Sequence, residues 1–223
     1  MTPPLSVGCV IAVLGAESTG KTELARALAN RLTQRGIAAT LVPEYLREWC
    51  EREGRTPRPD EQAGIAAEQG RRIAQAARHG VAVADTTALM TAVYSDLLFD
   101  DASLYADALD VQSSYAVTLL TAHDLPWVAD GLQRDGPHVR EPVDTLVRAA
   151  LRRAGVSYAV VHGRGSERLA NAWTALNLAA MAEAPASSPS GDPGKDGWRW
   201  SCDKCSDPTC EHRLFSDLLA RRG

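Results

Sequence analysis

What the chain lacks narrows its classes first. Its 223 residues contain no run of about 18 apolar residues, so no membrane-spanning helix and no membrane partner are expected. The first residues, Met1-Thr2-Pro3-Pro4-Leu5-Ser6, carry neither a charged n-region nor an apolar h-region, so no secretory signal is expected and the protein is read as cytoplasmic. There is no excess of positive charge: 24 Lys and Arg against 28 Asp and Glu give a formal net charge of -4, which argues against a general nucleic-acid surface. Cysteines number only five, and three of them, Cys202, Cys205 and Cys210, crowd one stretch near the end. In a cytosolic chain such a cluster points to a metal rather than to disulfides. The acids Asp96, Asp100, Asp101, Asp107 and Asp110 show no metal-ligand spacing and read as surface charge. The length allows one domain of ordinary size with a large core, plus an appendage.

What is present is organised around Gly15-Ala16-Glu17-Ser18-Thr19-Gly20-Lys21-Thr22. This stretch fits the phosphate-binding loop G-x-x-x-x-G-K-[ST] at every fixed position. The apolar run Val10–Leu14 before it reads as a strand, and Glu23–Ala29 after it as a helix, which is the context the motif requires. Glycines let the backbone wrap around phosphate oxygens, and the helix aims free N–H groups at the same anion. Gly15, Glu17, Ser18, Thr19, Gly20, Lys21 and Thr22 are therefore the candidate ATP-binding residues. Lys21 is placed to reach the β- and γ-phosphates, and the Thr22 hydroxyl to ligate Mg²⁺.

Further along, strands are expected at 7–14, 37–42, 81–85, 115–121 and 156–161, alternating with helices. That pattern predicts an α/β fold with a five-stranded parallel sheet covered by helices on both faces. Ligands of such sheets bind beyond the carboxyl ends of the strands. Glu44 follows the second strand there, with Tyr45 and Trp49 available to stack on a flat ring. Glu44 reads equally well as a proton acceptor or as an acid at a helix start. Asp60 is expected to cap the next helix, from which Gln69 or Arg72 would reach a substrate. Val81–Asp85 is an apolar strand ending in an acid, the form of the second phosphate-site motif, whose Asp holds Mg²⁺ directly or through water. Residues 122–134 and the turn at Gly136-Pro137 read as a lid, with Arg134 and Arg140 the cations it would bring to a phosphoryl group.

Residues 183–197 are rich in Pro, Ser and Gly and read as a flexible linker. Beyond it, Cys202, Cys205, Cys210 and His212 have the spacing C-x2-C-x4-C-x-H, a ligand set suited to tetrahedral Zn²⁺. A tail this short buries no core of its own, so a structural zinc would account for its order. The expected divisions are thus a P-loop domain over 7–182, a linker over 183–197 and a zinc-binding tail over 198–223.

Together, the loop 15–22, the Glu44-Tyr45-x-Arg47 segment, the strand end Ala84-Asp85-Thr86 and above all Pro126-Trp127-Val128-Ala129-Asp130-Gly131-Leu132 resemble the kinase domain of NadR-type nicotinamide riboside kinases. The resemblance covers about residues 8 to 182. It implies a P-loop kinase fold and transfer of the ATP γ-phosphate to the 5′-hydroxyl of nicotinamide riboside, giving the mononucleotide. It also implies that Glu44, Tyr45, Trp127 and Asp130 line a pocket for the small-molecule nucleoside. Asp85 would support Mg²⁺ or the attacking hydroxyl, and Arg134 and Arg140 would stabilise the transferred phosphoryl group. Either Glu44 or Asp85 would accept the proton, with Asp85 preferred. Two departures stand out. The chain has neither the H-x-G-H motif of the family's adenylyltransferase domain nor room for its DNA-binding domain, so no adenylyl transfer and no nucleic-acid partner are expected. The Cys/His tail lies outside the family pattern and leaves room for a protein partner. Kinases of other nucleosides, and a nucleotide-sensing switch with a zinc-dependent partner, are the competing readings.

Overall fold

The structure, a computed structural model, describes residues 5–128 and 137–183. These belong to the first of the two units into which the chain divides, Met1–Ala184. Five parallel strands, β1 (Val10–Leu14), β2 (Ala39–Val42), β3 (Val81–Asp85), β4 (Val117–Thr121) and β5 (Ala159–Val161), form one sheet in the order β2-β3-β1-β4-β5. Among the described residues seven α-helices accompany it: α1 (Lys21–Gln34), α2 (Tyr45–Glu53), α3 (Gln62–Ala77), α4 (Ala88–Phe99), α5 (Tyr105–Ser113), α6 (Arg140–Arg153) and α7 (Gly165–Glu183).

Every residue of β1, β3 and β4 is buried, which is why these strands read as unbroken apolar runs rather than alternating ones. The pleat sends Ile11, Val13, Val83 and Leu119 to one face, where they pack on Leu24, Leu28 and Leu32 of α1 and on Ala172 and Leu176 of α7. Leu14 and Leu120 point to the other face and meet Leu89 and Val93 of α4 and Val143, Val147 and Leu151 of α6. Val42, Ala82 and Ala84 share that side with Ile73 and Ala77 of α3. The expected α/β sandwich is present, with helices on both faces.

Four strands start later than their apolar sequence suggests, two of them because a glycine closes the helix before them. The residue after a helix-ending glycine is used to close the helix. Gly36 at φ +78° gives its N–H to Thr33, and Ile37 gives its N–H to Leu32. Gly155 at φ +66° and Val156 repeat the pattern on Arg152 and Leu151. Both are six-residue closures that satisfy orphan carbonyls at a helix end. Tyr115, which follows Ser114 and no glycine, donates its N–H to Gln112 O at the end of α5. So β2 begins at Ala39 rather than Ile37, β5 at Ala159 rather than Val156, and β4 at Val117 rather than Tyr115, while β1 begins at Val10 rather than Val7, the Cys9 N–H closing a turn on Ser6 O. Asp60 does not cap α3. It lies in a 3-10 turn, and its neighbour Glu61 accepts from Arg58 N–H at 2.8 Å and from both terminal nitrogens of Arg55.

Candidate active site

The phosphate loop leaves the central strand β1 and enters α1, whose N-terminus points into it. Gly15 has φ +146°, and a Cβ there would lie 2.1 Å from Thr121 Oγ1, so only glycine fits beside β4. Thr19 donates its hydroxyl to Ala16 O at 2.8 Å, and Thr121 Oγ1 lies 3.0 Å from Leu14 O and 2.7 Å from Thr19 Oγ1. These buried hydroxyls hold the loop's curvature. Lys21 Nζ donates to Ala16 O at 2.7 Å, which places its charge over the loop itself. Ser18, at φ +52°, donates to Val128 O at 2.6 Å and accepts from Val128 N at 3.2 Å.

At the head of α1 the Thr22 hydroxyl donates to Asp85 Oδ2 at 2.6 Å. Parallel register delivers this meeting: β1 and β3 are neighbours with Val13 opposite Asp85. Asp85 is almost fully buried, and its Oδ1 has no hydrogen-bond partner among the described residues. A hydroxyl and a carboxylate with an unused buried oxygen are hard donors of the kind Mg²⁺ takes, so the pair fits that ion. The next residue, Thr86, has φ +69°, an outlying conformation for a β-branched residue. Its N–H goes to Val13 O, and its carbonyl accepts from Gln69 Nε2 at 3.4 Å.

On the acceptor side β3 separates β2 from β1, so Glu44 is not next to the phosphate loop by strand order. It stands at the N-cap of α2, its carboxylate 3.6 Å from Arg47. The link to the centre is Gln69, buried, whose Oε1 accepts from Tyr45 N at 2.7 Å while its amide nitrogen reaches Thr86 O. Gln69 is therefore a brace between the starts of two ligand loops rather than a free substrate contact. Arg72 is also engaged, pairing with Glu48 at 2.5 Å and Glu68 at 2.7 Å while its guanidinium covers the Tyr45 ring at 4.3 Å. The Arg72 hydrogen bond holds the Glu48 carboxyl below its usual range. Trp49 is buried with Cys50 and Ile65, and Arg55 lies over its ring at 4.9 Å, so it belongs to the core and not to a stacking surface.

Beyond β4 the chain runs through His123 and Asp124 to Trp127, whose buried Nε1 has no partner among the described residues. Arg140, first residue of α6, gives Nη1 to Leu125 O at 3.0 Å, while among the described residues its buried Nε and Nη2 are left without an acceptor. Asp130 and Arg134 lie outside the described residues, as do Cys202, Cys205, Cys210 and His212. Among the described residues no group of three or more His, Cys, Asp or Glu is placed to hold a metal, and no helix is long and apolar enough to cross a membrane.

A family model described as AAA domain, AAA_28, matches residues 10–168, most of the chain. The chain belongs to this family. The fold of this AAA-domain protein is similar to that of NadR solved with NAD and AMP-PNP, at TM-score 0.62 and 18% identity, covering 86% of this chain and 52% of that one. It is likewise similar to NadR solved with NR, at TM-score 0.61 and 21% identity, covering 78% of this chain and 51% of the other. The chain thus spans about half the length of each of these NadR chains. At these identities the likeness establishes the P-loop NTPase fold. No curated protein matches the chain.

One site residue of this AAA-domain chain escaped sequence reasoning. Arg168 of α7 is 4% exposed. It donates Nε to Gly163 O at 2.8 Å, Nη1 to Thr19 O, and Nη2 to Ala122 O at 3.4 Å and to the Asp124 carboxylate. Asp124 also accepts from Gly163 N at 2.6 Å. Burial pushes the Asp124 carboxyl up, but the Gly163 N–H and the Arg168 charge outweigh it and leave the group below its ordinary range. The only sequence signal was a lone arginine one turn into a helix, which resembles any solvated cation.

Proposed function

We propose that the protein is an ATP-dependent phosphotransferase acting on a hydroxyl of a small molecule, with the 5′-hydroxyl of nicotinamide riboside as the first acceptor to test. The observation that carries the reading is the Thr22–Asp85 pair at 2.6 Å, set at the head of α1 directly after a complete phosphate-binding loop. The likeness in fold to NadR structures, one solved with AMP-PNP and one with NR, supports the choice of acceptor.

In this reading the loop N–H groups and Lys21 bind the triphosphate. Thr22 and Asp85 would hold Mg²⁺, which supplies charge that screens the phosphates. The acceptor oxygen forms a bond to the γ-phosphorus, the bond to the β-bridging oxygen breaks, and ADP leaves. The acceptor proton passes to a carboxylate, Asp85 or Glu44. We prefer Asp85, which the Thr22 hydroxyl holds at the head of α1. Arg140, whose Nε and Nη2 have no acceptor among the described residues, would meet the developing phosphoryl charge. Glu44, Tyr45 and Trp127 would line the acceptor pocket, and Asp130 and Arg134 would join from the segment between residues 128 and 137. One face of Tyr45 is already covered by Arg72, so a flat ring would stack on the other.

The test is incubation of purified protein with ATP, Mg²⁺ and a panel of nucleosides including nicotinamide riboside, with products followed by mass spectrometry and Lys21→Ala as control. Mononucleotide formed fastest from nicotinamide riboside, and absent with the control, supports the reading. Preference for another nucleoside keeps the mechanism and moves the acceptor. ATP binding with no transfer to any acceptor would overturn it in favour of a nucleotide-sensing switch.

A further inference from the structure

The phosphate loop carries a peptide that is free to turn over unless something holds it. Gly20 sits at φ +76°, ψ 23°, as the N-cap of α1, and no side-chain cap fixes that end of the helix. The Thr19–Gly20 peptide is trans, so its carbonyl and its N–H point in opposite directions. Whatever grips the Thr19 carbonyl on one side of the loop therefore aims the Gly20 N–H at the other. Glycine is the residue least able to resist rotation there by itself.

The grip is Arg168. Its Nη1 takes the Thr19 carbonyl and lies 3.7 Å from where a Gly20 Cβ would stand. The guanidinium is fixed in turn: Nε on Gly163 O at 2.8 Å, and Nη2 on Ala122 O and the Asp124 carboxylate. Asp124 is held by Gly163 N at 2.6 Å, and Arg164 donates to Asp124 O at 3.3 Å. A planar fork with five donors satisfies three segments at once, which a lysine's point charge does not. We infer that Arg168 is a positioning residue for nucleotide binding: by holding the Thr19 carbonyl it presets the Gly20 N–H toward the phosphates and ties that setting to the segments following β4 and β5. The role rests on the proposed binding of phosphates by this loop, and on no particular acceptor.

Calorimetric titration of the full chain with MgADP and with AMP tests this, using wild type, Arg168→Lys and Asp124→Asn. The preset concerns contacts to the phosphate chain beyond the first phosphate. Arg168→Lys is expected to weaken MgADP about tenfold or more while changing AMP less than about twofold, and Asp124→Asn to weaken MgADP in the same sense by less. A purely structural role would lower the melting temperature without separating the two nucleotides. MgADP affinity within about twofold of wild type in a folded Arg168→Lys protein would overturn the assignment. Should the variants not fold, the wild type decides. A preset peptide gives a single sharp Gly20 amide resonance in nucleotide-free protein, whereas a doubled or exchange-broadened one contradicts it. Failure of wild type to bind MgADP would remove the function proposed above, while the Gly20 resonance would still decide whether the peptide is preset.

Discussion

The Ser18 hydroxyl and the Val128 peptide hold each other across 110 residues of sequence: Ser18 Oγ donates to Val128 O at 2.6 Å and Val128 N donates back at 3.2 Å. One side chain of the phosphate loop thereby fixes the end of the Pro126-Trp127-Val128 segment. Ser18→Ala removes both bonds. With about 1 kcal/mol per net hydrogen bond, opening at Val128 becomes about thirtyfold easier. Amide hydrogen exchange at Val128 should accelerate accordingly while exchange in β1 stays unchanged. Unaltered Val128 exchange would mean the segment is held by other contacts.

The Asp85 carboxylate is expected to matter for the metal more than for the fold. Asp85→Asn keeps an oxygen for the Thr22 hydroxyl but loses the charge. Mg²⁺ should then no longer strengthen ATP binding, and any phosphoryl transfer should fall about 100-fold or more. Titration with ATP in the presence and absence of Mg²⁺ checks this, and a Mg²⁺ effect equal to wild type would remove Asp85 from the metal site.

Acidification should destabilise the protein through His123. Burial pushes its pKa below the ordinary 6.5, Arg140 and Arg148 push the same way, and Asp144 at 3.8 Å and Glu141 oppose them. Because the folded form resists the proton that the unfolded chain accepts at 6.5, this contribution is intact above 6.5 and is lost as pH falls from there toward the lowered value. The melting temperature should drop as pH falls below 6.5, and His123→Gln should flatten part of that slope. An identical slope in the variant would assign the acid sensitivity elsewhere.

The Cys202, Cys205, Cys210 and His212 set, outside the described residues, still makes a definite chemical claim. Protein purified without chelator should carry about one zinc per chain by elemental analysis, and Cys202→Ser with Cys205→Ser should lose it. A wild-type protein with no zinc would leave the tail's cysteines without a metal role.

The parts of the site legible in the sequence were those whose chemistry forces a local spacing. The loop 15–22 demands two glycines, a lysine and a hydroxyl at fixed offsets, and an apolar strand ending at Asp85 is short-range information too. Contacts made through backbone carbonyls were not legible. Arg168 acts on Thr19 O, 149 positions away, and any residue presents a carbonyl. Gln69 was visible as a polar residue on a helix, but its use as a brace depends on β2 and β3 lying side by side, which only the strand order reveals. Trp49 stayed open in the sequence because an aromatic one turn into an amphipathic helix has the same pattern whether it faces a ligand or Ile65. Strand starts were read early because apolar residues also close helices, as Ile37 and Val156 do.

The sheet order also has a consequence for synthesis. β1 is made first, yet both its neighbours, β3 and β4, come later, and the last strut of its loop, Arg168, comes later still. A chain emerging from the ribosome carries β1 without a strand partner until Asp85 has been made, and with one edge open until Thr121. Such a segment is exposed to wrong pairing until Thr121 has been made. Only a chain translated past Arg168 holds the residue that grips the Thr19 carbonyl of the loop.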